Sequence, residues 1–76
     1  MEKALTELKN NECGIIATIQ GGRGVTDRLN ALGIIPGKKV TNISSSPFHG
    51  PVTIQVDRTK IAIGYGMAEK IIVLAE

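Results

Sequence analysis

Nine glycines and three prolines cut this sequence into short pieces, which limits it to short elements joined by turns. The apolar runs, such as Ile71-Ile72-Val73-Leu74-Ala75, fall far short of the roughly 20 residues a membrane-spanning helix needs. The pieces are filled mainly by β-branched residues: Ile and Val together number 16, against 5 Leu. Such side chains suit a pleated strand better than a helix. The expectation is therefore an all-β fold.

Along the chain, residues 4–9 form a short strand or turn, and residues 14–19 a strand with Ile15, Ala17 and Ile19 on one face. Gly21, Gly22 and Gly24 break that strand. One helix follows, because Val25, Leu29 and Leu32 recur at i, i+4 and i+7. Asp27 is read into its first turn, where the helix dipole favours an acid. Gly33 is placed as the left-handed residue after the helix, and Pro36-Gly37 as the centre of a type II turn. Residues 38–44 form a strand and residues 45–51 a loop. Residues 52–57 alternate strictly, so one face of that strand is polar and solvated. A tight turn at residues 57–60 sends residues 61–63 back as a hairpin partner. Residues 64–69 are a turn or a single helical turn. Residues 70–74 close the chain as a strand that is apolar on both faces, and therefore expected to be covered on both. The whole is a small SH3-like barrel of five or six strands with one short helical insertion.

A chain of 76 residues is one domain, residues 1–76, and a marginal one. Cys13 is the only cysteine, so no disulfide forms within the chain, and a lone cysteine fits a reducing compartment. The N-terminus lacks the apolar stretch of a signal peptide. A soluble, cytoplasmic protein is expected. The formal net charge is +2, and the basic residues are scattered rather than gathered into a patch. With only Phe48 and Tyr65 available to stack on bases, nucleic acid is not an expected partner.

No catalytic constellation is visible. A nucleophile needs a neighbouring base and an orienting group. Cys13 and His49 have no evident third member, and Cys13 opens an apolar strand, where cysteine usually serves as a small buried hydrophobe. Structural zinc takes four Cys or His ligands, and this chain offers two. The metal candidates are thus Cys13, His49 and Glu12, in a weak site or one completed across a dimer. The plainer reading of His49 is a loop residue in water. Gly21-Gly22-Arg23-Gly24 lacks the Lys-Ser or Lys-Thr of a phosphate-binding loop, and turn geometry explains its glycines more simply.

The remaining unusual feature is a rigid corner made by Gly33, Pro36 and Gly37. Leu32, Ile34 and Ile35 surround it, with Arg23, Arg28, Lys38 and Lys39 nearby in sequence. Two readings stand equally: an apolar patch rimmed by charge, which is a common protein-binding surface, or core residues beside an ordinary solvated rim.

The segment Arg28-Leu29-Asn30-Ala31-Leu32-Gly33-Ile34-Ile35-Pro36-Gly37-Lys38-Lys39-Val40 resembles the "RL-x-x-LG-I-x-PG-x-x-V" signature of the FeoA family. Gly50-Pro51, Ile61-Ala62-Ile63-Gly64 and Ala68-Glu69-Lys70-Ile71-Ile72-Val73 fit the family's later pattern, so the resemblance covers nearly the whole chain. It departs at Arg58-Thr59, where the family often has Gly, which touches the turn geometry and not the fold. The resemblance implies an SH3-like barrel related to the C-terminal domain of DtxR-type repressors. It implies a non-enzymatic adaptor of ferrous iron uptake whose partner is the cytosolic region of the FeoB-type transporter. No cofactor is required. The expected partner-binding residues are Arg23, Asp27, Arg28, Ile35 and Lys38, with Gly33, Pro36 and Gly37 as scaffold. The alternative is a transition-metal sensor or metal-dependent homo-oligomer that binds a divalent metal weakly.

Overall fold

The computed structural model describes residues 1–75. Six strands run in chain order as β1 (Glu2–Ala4), β2 (Cys13–Ile19), β3 (Lys39–Ser45), β4 (Val52–Val56), β5 (Thr59–Ile63) and β6 (Ile71–Ala75). A 3-10 turn (Leu5–Glu7) follows β1, helix α1 (Arg23–Ala31) lies between β2 and β3, and a single turn α2 (Tyr65–Ala68) precedes β6. The strands form one antiparallel sheet in the order β1-β6-β2-β3-β4-β5. The register slips once between Ile16 and Thr18 against β6, and once between Asn42 and Ser44 against β4. Such bulges bend a strand and increase its twist. They help the sheet wrap around its own core, although β1 and β5 do not pair to close it into a ring. The expected fold, a small SH3-like barrel of mostly β structure, stands in this barrel-like form.

The core is built by alternation. In β4, Val52, Ile54 and Val56 are buried while Thr53 and Gln55 are half-buried. Ile16, Leu29, Ile34, Val40, Ile71, Val73 and Leu5 join them at full or nearly full burial. Each such side chain contributes about 1.5–3 kcal/mol when taken out of water.

Three details correct the sequence reading. In β2 it is Gly14 and Ile16 that are buried, not Ile15 and Ala17. The bulge at Ala17 then shifts the phase by one residue, so that Ile19 packs back against the core. In β6, Ile71 and Val73 are buried but Leu74, on the opposite face of the strand, is 44% exposed, so the two faces are not covered alike. Helix α1 begins at Arg23, so Asp27 falls in its second turn.

The helix ends as expected. Gly33 has φ +90°, its N–H donates to the Asn30 carbonyl, and the Ile34 N–H donates to the Leu29 carbonyl. This is the Schellman pattern, and its apolar contact partners, Leu29 and Ile34, are both fully buried. The 57–60 turn closes with Asp57 at φ +56°, so a non-glycine residue supplies the left-handed position.

Asn42 is the one fully buried polar side chain among the described residues. Its Nδ2 donates to the Leu8 carbonyl at 2.7 Å and to Ser45 Oγ at 3.1 Å. Its backbone N–H donates to Glu12, and its carbonyl accepts from Asn11. These bonds fasten the segment that carries Leu8 onto β3.

Two glycines should respond in opposite directions. A Cβ at Gly14 would stand 2.6 Å from the Leu74 carbonyl oxygen, in backbone that cannot yield without parting β2 from β6. Gly14→Ala is expected to cost about 2 kcal/mol or more in urea unfolding. Gly24 lies in α1 with open space around it, and Gly24→Ala should add about 0.5 kcal/mol. Equal effects would contradict this packing.

Candidate functional site: the corner after the helix

The corner is built by two successive turns. The Schellman turn sends Ile34 inward, and residues on either side are left facing out. Leu32, at the helix C-cap, is 46% exposed, and Ile35 is 41% exposed. The sequence left Leu32 and Ile34 together as patch or core, and the structure divides them. Leu32 is the helix C-cap and stands outside the core, although its i+7 spacing from Val25 predicts the buried face.

The second turn runs from Ile35 to Lys38, closed by the Lys38 N–H donating to the Ile35 carbonyl at 3.1 Å. Gly37 has φ +95°, which fits the third position of a type II turn after Pro36. The Gly37 N–H donates to the Ile16 carbonyl at 2.8 Å, and the Ile16 N–H donates to the Lys38 carbonyl at 2.9 Å. The corner is thus stitched to the centre of the sheet and presented rigidly.

Charged residues lie on α1 and on the turns after it. Lys38 Nζ lies 2.9 Å from Asp57 Oδ2, joining the corner to the β4–β5 turn. Arg23 and Asp27 face each other across one helical turn at 3.9 Å, both highly exposed, so their pairing adds little. Arg28 stands exposed in the last turn, where a cation complements the helix dipole, and makes no ion pair among the described residues. Arg23, Asp27, Arg28, Ile35 and Lys38 thus all lie on α1 or the turns after it.

The metal candidates fare differently. Among the described residues, no three His, Cys, Asp or Glu side chains gather as a metal site. Glu12 accepts from the Lys9 N–H at 2.8 Å and pairs with Lys3 at 3.1 Å. Cys13 pairs opposite Thr41, while His49 lies beyond the far end of β3. One copy of the chain therefore does not assemble Cys13, His49 and Glu12 into a site.

A second feature escaped the sequence reading. The β3–β4 connection is a tight hairpin tip in which the Gly50 N–H donates to the Pro47 carbonyl at 3.2 Å. Its two central residues, Phe48 and His49, have φ +58° and +60°. This is the type I′ pattern, which normally selects Asn-Gly, because bulky residues with positive φ are strained by about 1 kcal/mol or more each. The His49 ring stacks on Tyr65 with centroids 4.2 Å apart and planes 11° apart. Phe48 is 99% exposed. With Phe and His where Asn and Gly are usual, the composition signals no such turn.

The ion pair at Glu12 yields a pH prediction. The Lys9 N–H, and then the hydrogen bond from Lys3, hold its carboxyl below the ordinary 4.5. A depressed folded pKa adds stability that is present above the unfolded value and lost as pH falls through the folded one. An NMR titration should place the Glu12 midpoint below 4.5, and Glu12→Gln should lose less stability on acidification. A midpoint at or above 4.5 contradicts the pairing.

Comparison with known proteins gives a consistent picture. The FeoA domain model matches residues 3–75. A Methanocaldococcus jannaschii protein, provisionally named Fe(2+) transport protein A, is 40% identical over 65 residues, covering 86% of this chain and 77% of that one. The crystal structure of an iron uptake regulatory protein (FeoA) superposes with a TM-score of 0.93 at 32% identity, covering 100% of both chains. The fold is shared with the zinc complex of Stenotrophomonas maltophilia FeoA, described as a procaryotic SH3 domain protein, at 22% identity and a TM-score of 0.77. That match covers 96% of this chain and 88% of the other.

Proposed function

This chain belongs to the FeoA domain family, and we propose that it acts as an adaptor of ferrous iron uptake that binds the cytosolic portion of a FeoB-type membrane transporter. The observation that carries this reading is the corner: Leu32 and Ile35 stand exposed on a rigid pair of turns, with Arg28 and Lys38 at the rim. An apolar centre with a charged rim is the usual composition of a protein-binding surface. The names of two relatives above 30% identity, a Fe(2+) transport protein and an iron uptake regulatory protein, support the setting. No helix among the described residues is long and apolar enough to cross a membrane, so membrane association would come through the partner.

The mechanism is binding, not catalysis. An adaptor shifts a two-state partner only by the difference in its affinity for the two states. A surface held by Gly33, Pro36 and Gly37 loses little conformational freedom on docking, which favours such discrimination. Arg28 is exposed and makes no ion pair among the described residues, whereas Lys38 is already paired with Asp57.

Arg28→Glu tests this directly. The variant should fold normally, because the side chain is exposed, and should bind the cytosolic transporter fragment about tenfold more weakly by calorimetry. Unchanged affinity would remove the helix end from the proposed surface.

A further inference from the structure

The two edges of the sheet are finished differently. At β1, the Ala75 N–H donates to the Met1 carbonyl at 3.0 Å, so the alternation of an antiparallel ladder turns the backbone groups of Glu2 and Ala4 outward. The Glu7 carboxylate accepts from that Ala4 N–H at 2.8 Å, and after three residues the strand ends in the 3-10 turn. The β1 edge is thus short and capped at Ala4. The β5 edge is longer. Asp57 and Arg58 join β4 to β5 in a tight hairpin, which makes Val56 and Thr59 its hydrogen-bonded closing pair. The same alternation then points the N–H and C=O groups of Lys60 and Ala62 away from β4. Both residues are exposed, and neither backbone finds a partner there among the described residues. The β4–β5 register runs without a slip and β5 contains no proline, so neither a bulge nor a proline blunts this edge.

Charge says what this edge accepts. From Lys38 to Ile63 the sequence has four basic residues and one acidic, Asp57, which Lys38 already engages at 2.9 Å. Arg58 and Lys60 are exposed and make no ion pair among the described residues. Lys60 stands opposite Gln55, and Gln55 opposite Thr41, so the three share one face of the sheet. Gln55 and Thr41 also line an open polar cleft with Lys39. We infer that the β5 edge takes an extended acidic segment of a protein partner, which adds to the sheet as one more strand. The free N–H and C=O groups of Lys60 and Ala62 hold its backbone, and Lys60 and Arg58 select its carboxylates. A lysine on an edge repels a basic strand and costs a neutral one its desolvation, whereas an acidic strand pairs with it. The residue that guards the edge therefore also chooses its occupant. A second copy is the poorer match. Antiparallel pairing of two β5 strands about Ile61 sets two Lys60 side chains within diagonal reach, where like charges repel. The β1 edge of a second copy offers only three residues, with the Ala4 N–H already taken.

The inference stands apart from the adaptor reading, because it concerns β5 and is tested without the transporter. The probe is a synthetic peptide of about eight residues alternating glutamate and threonine, with a lysine–threonine peptide as its control. In an NMR titration of the full labelled chain at low salt, the glutamate peptide should move the Lys60 and Ala62 amides saturably. It should also slow their hydrogen exchange about tenfold, and the lysine peptide should leave them unmoved. Lys60→Glu reverses the charge and keeps the backbone. Ala62→Pro removes one outward N–H at an edge position, where a strand tolerates proline. Each should weaken the glutamate peptide about tenfold or more, and Lys60→Glu decides alone where Ala62→Pro does not fold. Equal binding of both peptides overturns the selection by charge. Binding that leaves the Lys60 and Ala62 amides unmoved, or none at near-millimolar peptide, overturns the site. Protection of those two amides without peptide, in protein that sediments as a dimer, gives the edge to a second copy and overturns the acidic partner.

Discussion

One antiparallel sheet bends around a single core here, and α1, the 3-10 turn and α2 supply the core residues that its strands do not. Most other features serve that arrangement. The bulges in β2 and β3 supply bend where a regular ladder would stay flatter. Helix α1 contributes Leu29 and the 3-10 turn contributes Leu5, which fill the core from outside the strands. Asn42 then fastens the segment after that turn by bonding to the Leu8 carbonyl, so a buried polar group satisfies a backbone oxygen. On the face of β6 turned away from that core, Leu74 is exposed and Ile72 is half-buried.

The corner follows from the same economy of core. Ile34 is drawn inward as the apolar partner of Leu29 in the helix-ending turn. Once Ile34 is committed, the geometry of two consecutive tight turns keeps its neighbours Leu32 and Ile35 outside. Gly33 and Gly37 make those turns possible by taking positive φ, and the Gly37 N–H donating to Ile16 and the Ile16 N–H donating to Lys38 fix them to the sheet. The apolar surface is thus a by-product of folding that is rigid enough to serve as a binding site.

Much of this was legible in the sequence, for physical reasons that differ from element to element. The strict alternation from Val52 to Val56 fixes a strand whichever fold surrounds it. The Leu-Gly-Ile and Pro-Gly pairs carry their own turn geometry, so the corner was readable before any coordinates. The inward face of β2 was not, because Ile15 and Ile16 are equally apolar and only pairing and the bulge decide between them. Leu74 was misplaced because an apolar side chain does not itself report which face of its strand is covered. The tip was missed because Phe48 and His49 adopt a turn that their own preferences oppose, held by a stack on Tyr65 sixteen residues further on.

The most direct test of the central claim is an NMR titration of the isotope-labelled domain with the cytosolic fragment of the FeoB-type transporter. A surface centred on the corner should show amide perturbations clustered between Arg23 and Lys38, growing in proportion to occupancy. Saturable binding that leaves those amides unmoved, or no perturbation anywhere at near-millimolar fragment, would contradict it.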